Sequence, residues 1–204
     1  MSTIESPSKP SPWHAGERMM HGRLGIAEQM ERFGPQVIRD FMPDQHRAFY
    51  GQLPFLIVAA VDAAGAPWAT LLEGTPGFVS SPDSKRLHID ALPSDGDPVG
   101  AAIATGSPVG LLGIELHTRR RNRMNGSVSA RDATGFAVTV EHAFGNCPQY
   151  IQTRSVAPVR PPAPPFAGPV ERGFGLDDTA RATIAAADTF FVATYVDGDG
   201  GGDP

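Results

Sequence analysis

Cysteine is scarce in this sequence, because Cys147 is the only one among 204 residues. An internal disulfide, and any metal or iron–sulfur site built from several cysteines, are therefore excluded within the chain. A strong excess of basic charge is also lacking, since the net charge is -5 at pH 7. Without a global basic field we expect neither nucleic acid nor an anionic membrane as the main partner.

Long hydrophobic runs are lacking as well. The longest, such as residues 55–61, fall far short of the roughly 20 residues that cross a bilayer. Residues 1–12 are polar and rich in proline and serine, so we expect no signal peptide and a cytoplasmic protein. Six histidines are present, but none is spaced as His-x-x-x-His or beside paired carboxylates, and we predict no metal site.

The hydrophobic pattern predicts a mainly β fold with flanking helices. Residues 1–44 are interpreted as a polar tail and short helices at 26–33 and 35–41, followed by a helix at 44–50. From residue 53 onward the pattern changes to short strands, with one helix at 97–105 among them. The predicted strands are 55–61, 68–72, 77–80, 86–91, 109–116, 123–130 and 136–140. Strands in this order indicate a small β-barrel domain at 45–157 and not a βαβ sheet.

A second unit is predicted beyond a proline-rich stretch. Six prolines fall within residues 158–169, so 158–176 is interpreted as a stiff linker. A helix from Asp177 to about residue 187 and a strand at 190–196 follow. Aligned at an offset of 135, this strand matches 55–61, and both are followed by an Asp and a Gly at the same spacing. We therefore interpret 177–204 as the start of a second, truncated copy of the barrel.

Five segments resemble one protein family. They are LPFLI at 53–57, LLEG at 71–74, GFV at 77–79, RRRNRMNG at 119–126 and FGNCPQYIQ at 144–152. Together they resemble the predicted flavin-nucleotide-binding proteins related to pyridoxamine 5'-phosphate oxidase, over about residues 45–155. The resemblance implies a split β-barrel of the FMN-binding type and a homodimer with flavin between two barrels. It also implies two-electron transfer between reduced flavin and a small organic acceptor or oxygen, with no substrate indicated.

The arginine-rich segment is the first candidate for holding the FMN phosphate. A guanidinium group can donate two parallel hydrogen bonds to the oxygens of one phosphate. The candidates here are Arg119, Arg121 and Arg123, with Asn125 beside them. If the strand from Val109 runs on through this segment, the three arginines share one face with Glu115. The alternative interpretation is a solvated hairpin whose arginines pair with nearby acidic residues.

Two further groups of residues are candidates by their place in the family pattern. The polar turn after the third strand offers hydroxyls and cations for an anion, at Ser81, Ser84, Lys85 and Arg86, although an ordinary turn uses the same composition. On the second strand, Trp68 and Thr70 share a face on which an indole could stack on flavin or belong to the core. The oxidase itself has Arg and Lys on this strand, where the present chain has Trp68 and Glu73.

We expect the arginine segment and the turn at Lys85 to meet in one cleft lined by Trp68. Polar residues after the last strand could add hydrogen bonds to a ring, although Asn146 could instead cap a helix that begins near Pro148. Two other functions stay open. The domain could be a ligand-free structural barrel that pairs with a flavin-bearing half, or it could bind another flat anionic ligand such as haem through His117 or His142.

Overall fold

The computed structural model describes residues 11–157 and 173–196. Three helices precede the strands, a short one interrupts them and one follows them. They are α1 (Ala15–Arg23), α2 (Ala27–Val37), α3 (Asp44–Gly51), α4 (Pro98–Ala102) and α5 (Asp178–Ala186). None of these helices is long and apolar enough to cross a membrane.

Seven antiparallel strands form one sheet, in the spatial order β2-β1-β5-β6-β7-β4-β3. The strands are β1 (Phe55–Val61), β2 (Pro67–Glu73), β3 (Val79–Asp83), β4 (Arg86–Ile89), β5 (Pro108–Glu115), β6 (Arg120–Arg131) and β7 (Phe136–Gly145). The mainly β prediction with flanking helices is confirmed and is consistent with a split barrel. The sheet is not closed into a barrel, because β2 and β3 are its two edges.

The two faces of the sheet carry different apolar clusters. One face, called the core face here, packs with α3 and α4 against a large buried cluster that includes Leu56, Val58 and Met124. The opposite face, called the outer face, carries a small cluster of Phe55, Ile57 and Ile114. Strand β1 is apolar at every position because it lies between the two clusters and side chains of a strand alternate between faces.

Helix α3 packs closely over the core face of β5 and β6. The buried Tyr50 hydroxyl donates a hydrogen bond to the Asn122 carbonyl at 3.2 Å. A Cβ at Gly113 would lie 2.7 Å from the Phe49 ring, so only glycine permits this approach. One hydrogen bond and one small residue therefore set how closely this helix packs on the sheet.

A β-bulge bends β6 in its middle. The register with β7 shifts between Asn125 and Gly126, and a Cβ at Gly126 would lie 1.9 Å from the Thr139 carbonyl oxygen. The bulge requires glycine there, because any side chain would collide with the neighbouring backbone.

The strand positions were predicted well and the helix positions less well. Helix α1 was missed, and Pro35 lies inside α2 instead of starting a helix. Residues 190–196, predicted as a strand, form no ladder in the structure. The domain boundaries stay predictions, since the tail at 1–10, most of the linker (158–172) and residues 197–204 lie outside the described residues.

Candidate functional site on the outer face

Alternation along β6 places two arginines and an asparagine on the outer face. Arg121 pairs with Ile114, and Arg123 pairs with Leu112. Directly opposed residues of antiparallel strands share a face, and Ile114 belongs to the outer cluster. Asn125, which is 5% exposed, follows on the same face. These three candidates from the sequence are therefore brought together.

The chain reverses before these arginines, so the strand from Val109 does not run on through them, and the two separate strands predicted at 109–116 and 123–130 describe this region better. Strand β5 ends at Glu115 and β6 starts at Arg120. Arg119 lies in the turn between them with a φ of 60°, and it does not share the face of Arg121. Glu115 pairs with Arg120 instead, so the expected carboxylate lies on the core face.

Arg121 has a buried donor without an acceptor. Its Nη2 donates to the Cys147 carbonyl at 3.1 Å, but its Nε is buried and has no hydrogen-bond partner in the described part of the chain. On the neighbouring strand end, the buried Oδ1 of Asn146 also has none. Leaving a buried polar group unsatisfied costs about 1–3 kcal/mol, so an acceptor at Arg121 would be stabilising.

The two outer-face arginines also repel each other. Burial, and then the positive charge of Arg123, hold the pKa of Arg121 below its ordinary value. Within the described ranges neither arginine forms an ion pair with a carboxylate. The alternative, a hairpin in which nearby Asp and Glu residues pair with these two arginines, is therefore not what this part of the chain shows. An anion between the two guanidinium groups would offset their repulsion.

A groove runs from Arg123 across the outer face. Its floor is flat and apolar, because Ile57 pairs with Leu112 and the small residues Ala59 and Gly110 pair beside them. Segment 191–194 forms its roof. We call this space the outer groove; it is lined by Ile57, Ala59, Ala69, Gly110, Leu112, Arg123, Asn125 and residues 191–194. Its cavity volume is about 80 Å³.

Within residues 11–157 and 173–196, the roof packs against the sheet through Phe191, and the chain just before it is anchored by an ion pair. Phe191 and Ile151 pack against the outer cluster, and Arg154 forms an ion pair with Asp188 just before the roof. The next residue outward, Phe190, is 79% exposed. The roof therefore covers the groove with few contacts.

The candidates in the β3–β4 hairpin lie elsewhere. Lys85 forms an ion pair with Asp40 at 2.7 Å, and Arg86 forms one with Asp83 at 2.7 Å. The Ser81 hydroxyl accepts from Arg47 at 3.1 Å, and Ser84 lies in the tight turn between the two strands. A wide depression of about 430 Å³ opens here, lined in part by Arg47, Ser80 and Ser81 and by no residue of β6.

Trp68 and Thr70 lie on the core face and not on the outer face. Their partners across the strands are Ala60 and Val58, which belong to the core cluster. The indole Nε1 of Trp68 donates to Asp62 at 2.8 Å, and the Thr70 hydroxyl bonds Asp97, the N-cap of α4, at 2.5 Å. Glu73 pairs with Phe55 and so faces the other way from Trp68.

The structure therefore separates the expected cleft into three places. Arg121, Arg123 and Asn125 meet on the outer face, while the β3–β4 hairpin and the Trp68 pair lie apart from them. Contact of each of these residues with a cofactor stays a prediction. The helix that Asn146 could cap is absent, since residues 146–157 contain none.

Sequence reasoning missed the floor and the roof of the groove. Gly110 and Ala59 carry no chemical signal of their own, and their role follows only from the register of β1 with β5. The contact of Phe191 with the outer cluster joins residues far apart in the chain. The backbone bond between Arg121 and Asn146 depends on the register of β6 with β7, which shifts at two bulges, so strand alternation alone does not predict it.

Comparison with known proteins gives structural likenesses only. No family model matches the chain, and no curated protein does. Similar solved structures include a candidate pyridoxamine 5'-phosphate oxidase from Lactobacillus delbrueckii, with 16% identity, TM-score 0.41, and 52% of this chain and 95% of that chain covered. HupZ from Group A Streptococcus has 14% identity and TM-score 0.41, with 56% and 99% covered.

A third similar structure is the FAD and heme binding protein from Mycobacterium smegmatis. It has 14% identity and TM-score 0.39, and the match covers 71% of this chain and 96% of that one. No family assignment follows from likenesses at this level.

Proposed function

We propose that this protein binds a phosphorylated flat ring, FMN, at the outer groove. The observation that carries the proposal is the buried Nε of Arg121, a donor without an acceptor, beside a second arginine that has no carboxylate partner among the described residues. A phosphate accepts from both guanidinium groups. The sequence resembles flavin-nucleotide-binding proteins, and a flavin nucleotide carries both a phosphate and a flat ring.

Each part of the groove has a role in this proposal. Arg123, which lines the groove, and Arg121, the preceding outer-face residue of β6 just beyond the lining, would hold the phosphate. Asn125 would offer an amide to a polar edge of the ligand. The floor at Ile57, Gly110 and Leu112 is flat and apolar, as an aromatic ring requires. When bound, the flavin supplies the redox chemistry, and these residues set its position and electrostatics.

The roof must move before a ring can enter. Ligand pockets measure roughly 300–1,000 Å³, whereas the outer groove encloses about 80 Å³. We propose that segment 191–194 yields to the ring while the phosphate contacts at Arg121 stay in place. The apparent affinity is then reduced by the fraction of molecules in which the roof is closed.

The proposal is tested on the purified full chain. An absorbance scan detects a flavin by its band near ~450 nm, which is a property of the cofactor, and mass spectrometry identifies the compound after release. If the protein is purified empty, we expect FMN added to it to bind saturably. A protein that carries no flavin and does not bind added FMN contradicts the proposal.

A second candidate function is a structural barrel without a ligand. The roof that fills the outer groove favours it, as do the ion pairs that occupy Lys85 and Arg86. In that case the scan shows no chromophore and FMN does not bind. A Soret band would instead indicate haem, with His142 placed next to Asn125 on the outer face.

The homodimer and the electron-transfer reaction that the resemblance implies are also part of the proposal. Gel filtration with light scattering tests the first, and oxidation of the reduced, FMN-loaded protein by oxygen tests the second. A monomer at all concentrations would contradict the dimer without affecting the ligand proposal.

A further inference from the structure

His46 is a buried histidine that does not line the outer groove. It lies in α3 and is 9% exposed, and its Nδ1 is buried without a hydrogen-bond partner. A neutral imidazole carries one donor and one acceptor, and most buried polar groups in folded proteins find a partner. The unsatisfied nitrogen therefore points to a group that residues 11–157 and 173–196 do not supply.

Two arginines from different elements place positive charge near this histidine. Arg39 exchanges two backbone hydrogen bonds with Ala143 of β7, at 3.1 and 2.7 Å, so it extends the core face beyond β7. Arg120 starts β6, and its guanidinium carbon lies 4.9 Å from the centre of the Phe49 ring. Phe49 follows His46 by three residues in α3 and so lies on the same side of the helix.

The positive charges of both arginines affect the pKa of the imidazole. Burial lowers the pKa of His46, and the positive charges of Arg39 and Arg120 lower it further. Across the described residues, neither arginine forms an ion pair with a carboxylate. Glu115, the residue opposite Arg120 in the ladder, bonds the Thr118 hydroxyl in the turn instead.

We propose that Arg39, His46 and Arg120 form a binding site for a small oxyanion of the phosphate class. The two guanidinium groups would hold its oxygens, and the His46 Nδ1 would donate a third hydrogen bond. Arg39 has a long hydrogen bond to the Val37 carbonyl, at 3.4 Å, and Arg120 lies over the Phe49 ring, but neither contact neutralises the positive charge, which an anion between them would offset. This site is distinct from the outer groove, because Arg120 and Arg121 project from opposite faces of β6.

The experiment is an NMR titration of the full chain with inorganic phosphate. Histidine side-chain signals are recorded at constant ionic strength set by chloride, and the His46 signal is identified by its absence in His46→Gln. We expect a saturable shift of the His46 signal. In the double variant Arg39→Gln/Arg120→Gln we expect phosphate to bind at least about tenfold more weakly, since two charge-assisted hydrogen bonds are lost.

Two variants serve as controls, each checked for folding by circular dichroism. Arg47→Gln removes an arginine from the same helix, one that is already bonded to Asp44 and Ser81. Arg121→Gln removes the phosphate ligand of the outer groove, so it separates the two proposals. Both should leave the His46 titration unchanged within about twofold. A His46 signal that does not move in the folded wild-type protein, or that moves equally in the double variant, overturns the site.

Discussion

Arg121 and Asn146 are joined through their backbones but not through their side chains. The Asn146 amide donates to the Arg121 carbonyl at 3.0 Å, while the buried Nε of Arg121 and the buried Oδ1 of Asn146 both lack partners. A donor and an acceptor on neighbouring strands would satisfy each other if bonding within the chain were their only role. Under the proposed function, the phosphate of a ligand would supply the acceptor that Asn146 does not.

The roof of the outer groove can be loosened by one substitution. Phe191→Ala removes the contact with Phe55, Ile57 and Ile114. We expect a loss of roughly 1 kcal/mol in the free energy of unfolding and a several-fold tighter binding of FMN, because the open form becomes more populated. Denaturant melts and FMN titrations measure both.

The matched control is the neighbouring residue. Phe190 is 79% exposed, so Phe190→Ala should change neither stability nor affinity. Weaker FMN binding in Phe191→Ala would mean that the roof is part of the binding surface and does not have to move.

Trp68 provides a test of which face holds the ligand. Its indole lies on the core face and bonds Asp62. We expect Trp68→Phe to leave FMN affinity within about twofold, since effects at separate sites do not couple. A fluorescence titration that shows a large loss in this variant would place the ring at β2 instead of at the outer groove.

The bulge in β6 depends on a glycine. In Gly126→Ala the new Cβ would meet the Thr139 carbonyl oxygen at 1.9 Å, so the backbone must shift. We expect a loss of about 1–3 kcal/mol or more, measured by denaturant unfolding. Gly22→Ala in α1 is the control, because nothing lies within 4 Å of its Cβ position; equal destabilisation in both would contradict the steric explanation.

His46 should make stability depend on pH. Its folded pKa is lowered from 6.5 by burial and by the charges of Arg39 and Arg120, whereas the unfolded chain binds the proton near 6.5. Below that pH the unfolded state binds more protons, so the free energy of unfolding falls as the pH falls.

A window from about pH 7.5 to 5 isolates this effect, because carboxylates titrate at lower pH. In phosphate-free buffer, His46→Gln should flatten the slope of the free energy of unfolding against pH across that window. Identical slopes in the variant and the wild-type protein would rule out the histidine as its source.

Much of the sheet could be predicted from the sequence, because its strands are short, apolar and separated by turns. Strand β1 was placed at its observed bounds. Helix α1 was missed since its N-cap is His14, whose side chain accepts hydrogen bonds from the first turn, and histidine is not among the usual capping residues. The strand predicted at 190–196 has the right composition but bonds to no strand among the described residues.

The candidate site was predicted only in part, for a reason of register. Arg121, Arg123 and Asn125 share a face by simple alternation. The strands predicted at 109–116 and 123–130 bracket the turn, but its exact position could not be predicted, because a non-glycine residue such as Arg119 at a φ of 60° gives no sequence signal. Only a strand that ran on without a turn would have placed Glu115 on the face of Arg121, and the observed turn pairs Glu115 with Arg120 on the other face.

The central claim is that Arg121 and Arg123 hold the phosphate of a bound flavin nucleotide. The most direct measurement is the affinity for FMN of the wild-type protein and of Arg121→Gln/Arg123→Gln, with Arg47→Gln as the control for net charge. We predict saturable binding that weakens by about tenfold or more for each outer-face arginine removed and is unchanged in the control. Equal affinity in the wild-type protein and the double variant, or no binding by either, would contradict the claim.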